Sequence, residues 1–170
     1  MDVNKELRKQ AIEFGLCQNW QKMWTSDKSP QKLIDMYKRG IDFCFESGYP
    51  ANEFIISNFD NELLDKNNLF VDTEFYKVNP ENDCVVLGKS SGKLIFGGFA
   101  VRDIYIKDDS ELEIEASGSS KIFVNVYGNA KVHVIQKELA TVNVYRHGEC
   151  SISYSGNVVV RGTSEWFSQR

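Results

Sequence analysis

The sequence between Ser110 and Ser155 repeats every ten residues, and this repeat restricts the possible folds more than any other feature. Each segment begins with a small residue, has large residues at its third and fifth positions, and is mostly polar between them. The first positions hold Ser110, Ser120, Ala130, Ala140 and Cys150, the third hold Leu112, Ile122, Val132, Val142 and Ile152, and the fifth hold Ile114, Val124, Val134, Val144 and Tyr154. Alternation of this kind is typical of a half-buried β-strand followed by a turn.

Two folds share such a repeat. One is an antiparallel meander that reverses every ten residues, and the other is a parallel solenoid that uses two segments, about twenty residues, per coil. A meander favours two-residue turns with positive φ, whereas the linkers here, such as Ala116–Ser119 and Arg146–Glu149, are longer. A narrow solenoid also needs small inward residues at its bends, and the first positions supply them. We therefore favour a short right-handed β-solenoid, with the meander as the alternative.

Weaker copies of the repeat extend the strand region in both directions. They are Cys84–Leu87, Leu94–Phe96 and Ile104–Ile106 upstream, and Val158–Val160 downstream. The solenoid is therefore predicted to span residues 84–163 in about four coils. A C-terminal tail, residues 164–170, follows it.

The first half of the chain has helical periodicity instead. Apolar residues from Leu7 to Trp24 recur at spacings of three and four, which predicts a helix over residues 5–24 with a weak point at Gly15. Ser29-Pro30 provides an N-cap and a first-turn proline for a second helix that ends at Gly48. Shorter helices are predicted over residues 52–59 and 61–66. The fold class is thus α+β, with a helical capping domain at residues 1–78 ahead of the solenoid.

Composition argues against nucleic-acid binding, export and membrane association. The net charge of −4 and the lack of a basic cluster disfavour direct binding of nucleic acid. The four cysteines form no C-x-x-C pair, so we expect small buried thiols in a reducing compartment. The start, Met1–Glu6, lacks the pattern of a signal peptide, and no run reaches the ~20 apolar residues of a membrane span. We expect a protein of the bacterial cytoplasm that does not associate with membranes.

Residues with the chemistry for catalysis or metal binding are few. His147–Cys150 brings an imidazole, a carboxylate and a thiol together, but Cys150 occupies an inward slot and the other histidine, His133, belongs to another segment. The densest acidic cluster is Asp108, Asp109, Glu111, Glu113 and Glu115. Its glutamates alternate with apolar residues, as they do on a solvated strand face. With no phosphate-loop, serine-hydrolase, zincin or EF-hand motif present, we predict no catalytic, cofactor-binding or metal-binding residues and no enzyme activity.

The outward strand positions offer candidate contact residues. With about twenty residues per coil, Tyr105, Asn125 and Tyr145 fall in one column and Phe123 lies above Asn143 in another. Exposed aromatic side chains are favoured anchors in protein interfaces. The predicted interaction residues are Tyr105, Phe123, Asn125, His133 and Tyr145, together with Trp166 and Phe167 at the open end.

Several segments suggest a family. Cys17–Trp24, Tyr37–Cys44, Tyr49-Pro50 and Val144–Gly148, together with the ten-residue repeat, resemble uncharacterised proteins encoded by bacteriophages and prophages of anaerobic gut bacteria. The resemblance implies an intracellular phage product that is accessory to the virion or directed at a host system. It implies no particular activity.

These observations lead to a non-enzymatic interaction or structural protein of a phage or mobile element. We expect it to bind protein partners, a second copy of itself among them, through the solenoid surface or its open end. An alternative is an inhibitor that binds a host defence complex, such as a nuclease. A polysaccharide-acting enzyme is disfavoured, because four coils give little groove and no outward column combines Asp with Lys or Arg.

Overall fold

The computed structural model describes residues 1–162, in which six helices precede eleven strands. The helices are α1 (Val3–Glu13), α2 (Gln18–Met23), α3 (Pro30–Arg39), α4 (Ile41–Ser47), α5 (Asn52–Asn58) and α6 (Asn61–Lys66). The strands are β1 (Leu69–Val71), β2 (Glu74–Val78), β3 (Cys84–Leu87), β4 (Ser91–Phe96), β5 (Val101–Ile106), β6 (Glu111–Ala116), β7 (Lys121–Tyr127), β8 (Lys131–Gln136), β9 (Thr141–His147), β10 (Ser151–Ser155) and β11 (Val158–Gly162). The chain forms two compact units that divide between Leu63 and Leu64. The predicted α+β class is confirmed.

The strands form two parallel sheets, and the chain alternates between them. Sheet A has the order β1-β3-β5-β7-β9-β11, and sheet B has the order β10-β8-β6-β4-β2. In the central coils the register partners are twenty residues apart, as in the pairs Leu112 with Val132 and Val124 with Val144. The fold is therefore a parallel β-solenoid of about five turns over residues 69–162, and the meander alternative is wrong.

The solenoid core follows the repeat slot by slot. The third-position and fifth-position residues of β6 to β9 are all buried, and Val124, Val134 and Val144 have no exposed surface. The small first-position residues are buried at the bends, where the Ser110 hydroxyl donates a hydrogen bond to the Gly88 carbonyl at 2.9 Å. A hydroxyl bonded in this way does not carry the cost of an unsatisfied buried polar group.

One bend requires glycine for two reasons. Gly118 has φ of +63°, and a Cβ placed on it would lie 2.7 Å from the backbone nitrogen of Gly98 in the neighbouring coil. Any larger residue would both adopt an unfavourable backbone conformation and collide with rigid backbone. The spacing between the coils is therefore set at this bend by the absence of a side chain.

The solenoid begins earlier than the repeat indicated. Leu69 pairs with Val85 and Glu74 pairs with Ser91, so β1 and β2 form a first coil. Parallel strands therefore start at Leu69 rather than at residue 84, and there are about five turns rather than four. Residues 69–78, which we expected in the helical domain, belong to the solenoid.

The first coil lacked a recognisable repeat because one inward position of β2 holds a lysine. Lys77 is the register partner of the fully buried Leu94. Its ammonium group lies 2.6 Å from the Asp65 carboxylate and 5.9 Å from the centre of the Phe70 ring. Lys77 thus occupies a position where the repeat has an apolar residue, and its charge is neutralised by Asp65.

The helical unit departs from expectation at two glycines. The helix predicted over residues 5–24 is wrong as a single element, since Gly15, at φ of +90°, separates α1 from α2. The second predicted helix is divided at Gly40 into α3 and α4, while its Ser29 cap and its end at Gly48 are confirmed. The two shorter helices are also confirmed. Within residues 1–162, none of the helices combines the length and the apolarity needed to cross a membrane.

Candidate interaction surfaces

The outer face of sheet A carries columns of aromatic and amide side chains. Tyr105 pairs with Asn125, Asn125 pairs with Tyr145, and Phe123 pairs with Asn143. All five residues are half-buried. The structure therefore brings together the two columns that the sequence predicted, because strands of one sheet stack every twenty residues.

A third column extends the same face. The rings of Tyr127 and His147 stack with their centres 4.2 Å apart and their planes 5° apart. His147 Nε2 also lies 3.4 Å from Asn125 Oδ1. We call this surface the aromatic–amide face, and its residues are Tyr105, Phe123, Asn125, Tyr127, Asn143, Tyr145 and His147. Sequence reasoning missed Tyr127 and placed His147 in a turn, although their twenty-residue spacing was a usable signal.

A carboxyl group of raised pKa lies beside this face. Asp103 is the register partner of Phe123, and its backbone N–H donates a hydrogen bond to Asp83 Oδ1 at 2.9 Å. Partial burial, and then the neighbouring Asp83 charge, raise the pKa of Asp103 above the usual value for an aspartate. Asp103 therefore keeps its proton to a higher pH than an exposed aspartate does.

The outer face of sheet B is a ladder of ion pairs. The three glutamates of β6 form ion pairs with lysines on both sides of the strand. The Lys93 ammonium lies 2.7 Å from the Glu113 carboxylate and 3.4 Å from that of Glu115. Lys137 lies 2.8 Å from Glu115, and Lys131 lies 3.1 Å from Glu111. Hydrogen bonds from Lys137 and Lys93 lower the pKa of Glu115. The glutamates of the acidic cluster thus form an outward face of paired charges, as their alternation indicated.

His133 lies on sheet B, so the structure divides the predicted interaction residues between two faces. Its register partners are Glu113 and Ser153, and none of the aromatic–amide face lies in its column. The reason is geometric, because segments ten residues apart alternate between the two sheets. His133 and Tyr145 are therefore outward residues of two different sheets.

An open groove of about 470 Å³ follows this part of sheet B and is lined by Ser91, Glu111, Lys131, His133, Ser151 and Ser153, among others. His133 Nδ1 lies 2.8 Å from the Ser153 hydroxyl. The column of Glu113, His133 and Ser153 has the composition of a serine-hydrolase triad. In such a triad the carboxylate orients the imidazole, whereas here the Glu113 carboxylate is held by Lys93. Glu113 therefore does not orient the His133 ring as the carboxylate of a catalytic triad would.

The cysteines differ in exposure. Cys44, Cys84 and Cys150 are buried, as expected, but Cys17 is exposed, and it immediately precedes α2. The Cys150 thiol points at the Val126 carbonyl at 3.7 Å, and burial raises its pKa, which keeps it protonated at neutral pH. Among residues 1–162, no three His, Cys, Asp or Glu side chains are grouped as a metal ion would require.

The C-terminal end of the described solenoid presents apolar side chains. Tyr154 is the register partner of the fully buried Val134, yet it is 51% exposed, because within residues 1–162 no further strand stacks on β10. Tyr154 thus occupies the fifth position of the repeat without being buried. Trp166 and Phe167, which we predicted to act at this end, lie outside the described residues.

Comparisons of the chain with protein-family models, with curated proteins and with solved structures find no match. The fold therefore rests on the parallel register alone. The resemblance to phage-encoded proteins stays a prediction.

Proposed function

We propose that this protein is a non-enzymatic binding module whose aromatic–amide face docks a protein partner. The main support for this proposal is that four aromatic rings, two amides and an imidazole lie on one face of one parallel sheet. Aromatic side chains are enriched among the residues that contribute most to protein binding, and amides adapt their hydrogen bonds to a partner.

The order already present in this face supports the proposal. Tyr127 and His147 are stacked, and His147 lies within hydrogen-bonding distance of Asn125. The columns also stand on strands with fully buried core residues such as Ile104, Val124 and Val144. Side chains that are fixed before binding lose less conformational entropy on association, so more of the contact energy contributes to affinity.

The other sheet is a weaker candidate for the interface. The charges on its outer face already form ion pairs with one another, with Lys93 bonded to Glu113 and Lys131 to Glu111. A partner that docked there would have to compete with these pairs and desolvate them, and exposed ion pairs return little energy. Sheet A presents less charge and more aromatic surface.

The test is affinity capture with matched variants. Immobilised wild-type protein, Tyr145→Ala and His133→Ala are each exposed to a lysate of the bacterium that encodes the chain, and retained proteins are identified by mass spectrometry. We expect a partner that wild type and His133→Ala retain and Tyr145→Ala loses, with both variants folded within about 1 kcal/mol of wild type. Loss with His133→Ala and retention with Tyr145→Ala would place the interface on sheet B and overturn the proposal.

The identity of the captured partner also separates the two roles that the sequence suggested. A virion protein would support a structural role in a phage, and a host nuclease complex would support inhibition of host defence. Both roles use the same face, so the mutational test above does not depend on which is correct.

A further inference from the structure

The groove on the outer face of sheet B runs across the strands, along the axis of the solenoid. Its lining residues come from β4, β6, β8 and β10, which are four neighbouring strands of one sheet. Because neighbouring parallel strands lie about 4.8 Å apart, the groove is about 14 Å long. Its volume of about 470 Å³ is thus spread over several coils, which suits a slender chain molecule better than a compact ligand.

The side chains that border this groove are polar. They provide carboxylates at Glu111 and Glu113, an ammonium group at Lys131, an imidazole at His133, and the hydroxyls of serines in β4 and β10. Inward residues such as Val132 also reach the groove, but their side chains belong to the core and are buried. Pockets for apolar ligands are lined mainly by hydrophobic and aromatic side chains. The sheet B groove therefore does not suit an apolar ligand.

The charges along the groove are paired with one another. Lys131 lies 3.1 Å from Glu111, and Lys93 lies 2.7 Å from Glu113. Each of these carboxylates has its own cation, so the groove offers no net charge to an ionic ligand. A neutral ligand leaves both pairs intact, because its hydroxyl groups can replace water on a carboxylate or an ammonium group while the two ions stay together.

The hydrogen-bonding groups of the groove include both donors and acceptors. His133 Nδ1 lies 2.8 Å from the Ser153 hydroxyl, and Nε2 of the same ring makes no hydrogen bond to another residue among 1–162. Carboxylates accept, ammonium groups donate, and hydroxyls and a neutral imidazole do both. Groups of both kinds, repeated from strand to strand, match a ligand whose own hydroxyls both donate and accept.

We propose that the sheet B groove binds a neutral, unbranched oligosaccharide whose chain runs along the solenoid axis. Sugar hydroxyls carry no charge, and they recur along the chain as the polar side chains recur from strand to strand. The ion pairs and the contact between His133 and Ser153 hold these side chains in place before binding, which lowers the entropy lost on association. A protein partner would have to desolvate the ion pairs, whereas a slender sugar chain replaces only part of their water.

The experiment is an NMR titration of the isotope-labelled full chain with cellotetraose, maltotetraose and chitotetraose. Each probe is added to about 10 mM, which saturates a site of millimolar affinity, and tetragalacturonate serves as the charged counterpart. We expect at least one neutral probe to shift the amide signals of His133 and Ser153 saturably, and to bind at least tenfold more tightly than tetragalacturonate. No saturable shift with any neutral probe would overturn the inference, and so would equal or tighter binding of tetragalacturonate.

Two variants locate the bound sugar. His133→Ala removes a ring that lines the groove and should weaken binding at least tenfold. Tyr145→Ala, on sheet A, should bind the sugar like wild type. Unchanged affinity in His133→Ala would overturn the inference, and loss of binding in Tyr145→Ala would move the sugar to the aromatic–amide face. The inference is independent of the function proposed for sheet A, because protein capture depends on Tyr145 and sugar binding on His133.

Discussion

Asn125 and Tyr145, twenty residues apart in sequence, are direct register partners on the outer face of the parallel strands β7 and β9. Neighbouring parallel strands lie about 4.8 Å apart, within the range of Cα separations that a disulfide spans. In a background with the exposed Cys17 replaced by Ser, the double variant Asn125→Cys/Tyr145→Cys should therefore form an intramolecular disulfide on mild oxidation, measured by thiol titration and peptide mapping.

The matched control for this disulfide is Asn125→Cys/Ile135→Cys. Ile135 lies ten residues further along, on sheet B, so its side chain is on the opposite sheet. We expect no disulfide in the control under the same oxidation. Formation of the control disulfide in place of the first would contradict the parallel register.

A charge placed inside the solenoid should unfold it. Val134 has no exposed surface, and burial of a valine contributes about 1.5–3 kcal/mol, while an unpaired buried carboxylate costs several kcal/mol more. That sum is comparable with the whole stability of about 5–15 kcal/mol of a small domain. In Val134→Asp we expect fast hydrogen exchange throughout the solenoid peptides. Ser155→Asp, an exposed position, serves as control and should exchange like wild type. A protected solenoid in Val134→Asp would contradict the assigned inward register.

The fold could be predicted from the sequence only where apolar residues fill the inward positions of the strands. The five central segments keep small, large and large residues in those slots, so their period predicts the parallel coil. β2 was missed because Lys77 fills an inward slot and pairs its charge with Asp65. Such compensation depends on a tertiary contact that local periodicity does not contain. Gly15 and Gly40 each divide a segment that was predicted as one helix. The spacing of the apolar residues continues across both glycines, so it did not indicate the breaks.

The contact surface could be predicted only in part. Stacking every twenty residues placed Tyr105, Asn125 and Tyr145 in one column, as observed. His133 was also among the predicted contact residues, and it lies on the other sheet because segments ten residues apart alternate between the sheets. The Tyr127–His147 stack continues β7 and β9 into what the repeat treated as turns. The hydrogen bond of His133 to Ser153 depends on side-chain rotamers, which no sequence period specifies.

The raised pKa of Asp103 gives a pH-dependent prediction. Its folded-state pKa lies above the usual aspartate value of 3.8 because of burial and the Asp83 charge. A carboxyl with a raised folded-state pKa destabilises the protein at neutral pH, and this cost is relieved as pH falls through the folded-state value towards 3.8. Asp103→Asn, which removes the charge, should therefore raise the melting temperature at pH 7 and have a smaller effect at pH 4. The measurement is calorimetry at both pH values.

Two outcomes would contradict this account of Asp103. A variant that melts below wild type at pH 7 would mean that the ionised carboxylate stabilises the fold, and an equal rise at both pH values would mean that ionisation is irrelevant. Asp109→Asn is the control, since Asp109 is exposed. Its substitution should leave the melting temperature nearly unchanged at both pH values.

Two glycines of the same bend column should respond differently to alanine. Gly98 and Gly118 have similar φ, +60° and +63°, so either substitution incurs the cost of a left-handed alanine, about 1–2 kcal/mol. A Cβ on Gly98 meets nothing within 4 Å, whereas one on Gly118 lies 2.7 Å from the Gly98 backbone nitrogen. Because backbone cannot move aside cheaply, Gly118→Ala should cost about 1–3 kcal/mol more than Gly98→Ala. Urea denaturation followed by hydrogen exchange of the solenoid peptides measures the difference, and equal losses would contradict the close approach of the two coils at this bend.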